Sequence, residues 1–216
     1  MKRMISISLV CVMIAGLLTA CGSSLDADCN TVYVEKKGTV IGASIEKMDK
    51  DYYKEDELKE FIDEKVEAYQ KEHEKNSVKV SDFSVKDGVA ELFMKYAGYE
   101  EYQEFNDVTL FAGTVPQALA AGYDFNTEFT KIKDGKASGE VESSEITESD
   151  YKVVVLSEKI DVKVDGTIKY MSSDFTSIKA DDTVSIQLPE NAEDGAELSL
   201  VYICLLYTSD AADDRI

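Results

Sequence analysis

A chain of 216 residues with 23 basic and 43 acidic side chains carries a formal net charge of −20. Such a field repels phosphate backbones and anionic lipid headgroups, so nucleic acid is not an expected partner and the domain is expected to stand off a membrane; it attracts cationic ligands, basic proteins or divalent cations, or simply keeps a solvated surface soluble. A hydrophobic content of 44% supports a folded domain, and the single histidine leaves no Ser-His pair of the usual kind and no HExxH.

The chain opens with Lys2 and Arg3, followed by an apolar stretch from Ile5 to Leu18 that is too short to act as a stop-transfer helix. It closes on Leu18-Thr19-Ala20-Cys21, followed by Gly22-Ser23-Ser24. This pattern resembles the lipobox of bacterial lipoproteins. The resemblance implies removal of residues 1–20, a diacylglyceryl thioether and further acylation (palmitate) on Cys21, and a protein anchored to the cell membrane on its extracytoplasmic face. Two or more acyl chains give stable anchoring where one does not. Residues 21–30 are small, polar and acidic and read as a tether.

Folded structure is expected from Thr31. Residues 31–34 and 39–45 suit a first hairpin, with Ile41, Ala43 and Ile45 on one face. From 54 to 74, Leu58, Phe61, Ile62, Val66 and Tyr69 form one stripe at helical spacing, which predicts a long amphipathic helix covering a sheet face. His73 lies off that stripe and reads as solvated. Residues 78–85 and 89–96 form a hairpin around Asp87-Gly88; a short helix is expected over 98–106, a strand over 108–112, and a second short helix from Thr114-Val115-Pro116-Gln117 to Gly122. Weaker strands are expected at 125–132 and 139–142, with 140–150 as a linker or loop.

The last third reads as strands: 151–156, 160–164, 167–171, 175–178, 183–188 and 198–203. Asp165-Gly166 predicts a hairpin joining the second and third of these. The expected fold class is α+β, an antiparallel sheet with one long helix and two short ones. Residues 31–147 form the α+β region, and 148–203 a β-rich region in the same or a second domain. Residues 204–214 resemble the translation of a sequencing-library adapter, which would make 204–216 an artefactual tail outside the fold. By its general style, including the Tyr-Lys-Val-Val-Val run at 151, the mature part resembles uncharacterised lipoproteins of gut clostridia; that likeness transfers no catalytic residue.

With Cys11 in the leader, Cys21 lipidated and Cys204 in the tail, Cys29 remains as a possible thiol. A nucleophilic role for it would need a base. Carboxylates such as Asp26, Asp28, Asp174, Asp181 and Asp182 lack EF-hand spacing, so neither a metal nor another cofactor is expected. The one concentration of interest lies between Phe93 and Phe129. Tyr96, Tyr99, Tyr102 and Tyr123 are the candidate ligand-binding residues, since tyrosines offer a flat apolar face with a polar rim. The competing reading makes Phe93, Phe105, Phe111 and Phe125 core, with the tyrosines at its edge. The leading expectation is a non-catalytic, lipid-anchored envelope protein binding an unknown ligand or protein. The alternatives are an envelope hydrolase using paired carboxylates and a structural subunit of an envelope complex.

Overall fold

The computed structural model describes residues 25–50, 52–188 and 198–207. The stretch read as a leader and Cys21 therefore lie outside the described residues. The elements are β1 Thr31–Val34, β2 Val40–Lys47, α1 Glu55–Glu72, β3 Val78–Lys86, β4 Val89–Tyr96, α2 Tyr99–Asn106, β5 Leu110–Thr114, α3 Val115–Ala120, β6 Phe129–Lys133 and β7 Lys136–Val141. After these come α4 Ser143–Thr147, β8 Lys152–Leu156, β9 Asp161–Val164, β10 Thr167–Ser172, β11 Thr176–Ala180, β12 Thr183–Ile186 and β13 Val201–Leu206. The fold class is α+β. The short helix α4 falls within the stretch read as a linker or loop.

The strands form two sheets, with seven in sheet A, in the order β11-β12-β9-β1-β2-β4-β3, and six in sheet B, in the order β5-β8-β13-β10-β6-β7. All described pairings are antiparallel except β1 with β9. The facing sides share one core: Val32, Val34, Val40, Met94, Val162 and Val164 come from sheet A, and Val154, Leu156, Ile168, Ile203 and Leu205 from sheet B. Alternation on β1 and β9 follows from a sheet buried mainly on one side. The unbroken apolar runs of β8 and β13 follow from burial on both, since Val153, Val155, Tyr202 and Cys204 point into a second cluster on the outer side of sheet B. That cluster is closed by Val115 and Ala118 of α3, Ile146 of α4, Phe125 and Phe129.

Three expectations change. The Asp165-Gly166 turn does not make a hairpin, because β9 belongs to sheet A and β10 to sheet B. At the Asp-Gly turns that do make hairpins both residues take positive φ, Asp87 (51°) with Gly88 (75°) and Asp134 (50°) with Gly135 (67°), whereas Asp165 and Gly166 do not. Glycine at 166 serves the crossing instead: a Cβ there would lie 2.7 Å from the Leu206 carbonyl oxygen. Next, β13 continues to Leu206, and Cys204 and Leu205, assigned to the tail, are buried in the core. Their apolar side chains alternate between the two clusters as the strand extends. Third, the apolar stripe of α1 is only partly covered. The helix packs on edge strand β3, burying Ile62 and setting Val66 and Tyr69 against the shared core, but leaves Phe61 62% exposed.

Every outermost strand among the described residues is either bulged or capped by side chains. Edge strands β3, β11 and β7 each hold one extra residue against their neighbour: Ser81, Lys179 and Ser138. On β5 the side chains of Gln103 and Gln117 accept from the Leu110 and Thr114 backbone N–H groups at 3.3 and 2.8 Å. Bulges and capped edge amides prevent strand-to-strand association with other chains.

Candidate functional site

Helix α2 separates two environments. Its residues Tyr102 and Phe105 point into the core, and its opposite side presents Glu100, Gln103, Glu104 and Asp107 at helical spacing. Those four, with Val108, Thr109 and Ser157, line an open cleft of about 740 Å³. Asp107 ends the helix in the left-handed conformation, φ 57°, which turns the chain into β5 along the cleft wall.

Beside the cleft lies a small polar group at the edge of the core. Tyr102 Oη donates to Glu158 Oε2 at 3.1 Å, and Asn106 Nδ2 donates to Tyr96 Oη at 3.2 Å and to the Tyr102 carbonyl at 2.8 Å. Burial pushes the Tyr96 hydroxyl up to about 12 and raises Tyr102 well above its ordinary value, with the Glu158 charge adding to both. Glu158 is itself raised by burial, against the lowering effect of the Tyr102 hydrogen bond.

The tyrosines therefore divide. Tyr96 and Tyr102, 3% and 5% exposed, pack edge-on at 4.9 Å between the sheets, where they support α2 and are closed to a ligand. Tyr99 and Tyr123 are half-buried and flank Phe111, with ring centroids at 5.2 and 5.3 Å. They form an aromatic rim on the outer side of sheet B, and Glu100 raises the Tyr99 hydroxyl after burial does. Phe93, Phe105, Phe111 and Phe125 are all core.

His73 is not simply solvated. Its ring stacks on Tyr69 at 3.9 Å and its Nε2 lies 3.4 Å from Glu104 Oε1, while Tyr69 Oη donates to Glu104 Oε2 at 3.2 Å. This joins α1 to the acidic side of α2. The helical stripe was legible, but a contact with a residue 31 positions away was not. Cys29 sits elsewhere, against Asp161: its Sγ donates to Asp161 Oδ2 at 3.2 Å, and Lys179 Nζ donates to the same oxygen at 2.6 Å. Among the described residues no group of three His, Cys, Asp or Glu is placed to hold a metal ion, and no helix is long and apolar enough to cross a membrane.

The sequence reading missed Glu100, Glu104, Asp107 and Glu158. The first three share a helix side at spacings of three and four, so that pattern was available; Glu158 meets Tyr102 only through the tertiary fold. Comparison with known protein families, curated proteins and solved structures gives no match in any of the three.

Proposed function

We propose that the chain is a lipid-anchored extracytoplasmic envelope protein that binds a cationic ligand or a basic segment of a partner protein. The lipobox at Leu18 to Cys21 supports the location. The observation that carries the binding reading is the half-buried Tyr99 and Tyr123 around Phe111, with Tyr99 opening the helix that presents Glu100 and Glu104 and ends at Asp107. Tyrosine faces and carboxylates together suit lysine and arginine side chains, through cation–π contact and charge. A carboxylate hydrolase finds less support. Glu158, a carboxyl raised by burial, is engaged by the Tyr102 hydroxyl and is not among the residues lining the cleft.

The test is titration of the full chain in detergent micelles with a fluorescent Lys/Tyr-rich peptide at low and high salt. Saturable binding that weakens with salt and drops at least tenfold in the Tyr99→Ala, Tyr123→Ala double variant is expected. Binding unchanged in that variant contradicts the assignment.

A further inference from the structure

The outer side of sheet A carries a row of residues contributed by five strands. Register partners run straight across it: Lys163 beside Tyr33, Tyr33 beside Ile41, Ile41 beside Lys95, and Lys95 beside Lys79. Lys163 is shared with Asp182 at 3.8 Å and lies 5.9 Å from the Tyr33 ring. Lys79 and Lys95 stand directly opposite one another, and among the described residues neither has a carboxylate within 4.0 Å. Like charges facing across strands destabilise a sheet, so an unrelieved lysine pair in a chain of net charge −20 calls for an anion from outside.

The same side is where the chain enters the fold. Leu25 is 2% exposed and buried with Ile41, Ala43 and Phe93, with Ala27, Tyr33 and Ile45 packed around them. Asn30 fixes the segment further: its Oδ1 accepts from the Ile45 N–H at 2.6 Å and its Nδ2 donates to Glu46 at 2.9 Å. The segment read as a tether is thus docked from Leu25 onward. Cys21 lies four residues before Leu25, a separation that full extension limits to about 14 Å.

We propose that the outer side of sheet A rests on an anionic phospholipid surface, with Lys79, Lys95 and Lys163 reaching headgroup phosphates and Tyr33 at the interface. The proposal rests on lipidation of Cys21. Given that anchor, the short connection holds this side at the bilayer. Lysine stems and a tyrosine ring are the residues an interface accepts, and each lysine near an anionic leaflet adds attraction. Register also puts Asp82, Glu91 and Asp161 on this side, with Asp161 held by Lys179 at 2.6 Å; against these three stand Lys47, Lys79, Lys86, Lys95 and Lys163, so the strands present a lysine-rich side although the chain as a whole is acidic.

The test uses the lipidated full chain in vesicles of phosphatidylglycerol and phosphatidylcholine, with flotation and lysine acetylation read by mass spectrometry against the same protein in detergent. Flotation with acetylation of Lys79 and Lys95 reduced several-fold, while Lys133 and Lys136 on the β6–β7 hairpin are unaffected, is the expected result. Flotation with Lys79 and Lys95 acetylated as in detergent overturns this proposal and leaves the anchor standing. Failure to float overturns the anchor and the proposal together. Equal protection in phosphatidylcholine alone overturns the role given to anionic headgroups.

Discussion

The two sheets are finished differently on their outer sides. Sheet B is closed by its own chain: α3, α4, Phe125 and Phe129 cover Val153, Val155, Tyr202 and Cys204, and the aromatic rings interlock, Phe125 with Tyr202 at 4.6 Å. Sheet A has a smaller outer cluster, Ile41, Ala43 and Phe93, closed by Leu25 and bordered by lysines. A side sealed by packed helices is completed by folding alone. A side closed by the residues that follow the proposed lipidation site would have its cover coupled to that anchor.

Truncation of each cover measures the difference. Phe125→Ala removes a fully buried ring from the sheet B cover and should cost about 3–5 kcal/mol in urea unfolding. Leu25→Ala should cost about 2 kcal/mol, the low end for a buried leucine, because its cluster is small. It should also speed proteolysis of the segment before Asn30. Equal costs would remove the distinction between the two covers, and no cost at Leu25 would mean that the entering segment is not docked.

A smaller effect is expected between the sheets. Glu158 has its carboxyl raised from the ordinary 4.5 by burial, so the folded state holds the proton more tightly than the unfolded one. The stability this gives is present in full below 4.5 and is lost as pH rises through the raised value. Glu158→Gln keeps an acceptor for Tyr102 and removes the buried charge. The variant should therefore be the more stable protein at pH 7, with the difference shrinking towards pH 4. A variant less stable at pH 7 would contradict the assignment of burial as the dominant influence on Glu158.

Local chemistry was legible in the sequence. Thr114 and Gln117 form the capping box that starts α3, with Pro116 in its first turn, and Asp87-Gly88 makes the turn it predicts. Asp165-Gly166 misled because a dipeptide reports that the chain turns, not which sheet receives the next strand. The tyrosines misled for a related reason. Tyr99, Tyr102 and Phe105 recur every three residues on α2, yet two are core and Tyr99 lies at the rim, a division made by β4, β5 and β8 rather than by spacing. The row from Lys163 to Lys79 could not be read at all, because its members span residues 33–163 and meet only through register. Edge protection was equally hidden, since a single extra residue such as Ser138 has no signature until its partner strand is known.

The most direct test of the account is the membrane partition of Cys21→Ser beside the parent protein. The parent should float with membranes and the variant should be released as a folded, soluble protein that retains peptide binding. A variant that stays with the membranes would contradict anchoring through Cys21, and with it the reading of sheet A as the side that faces the bilayer.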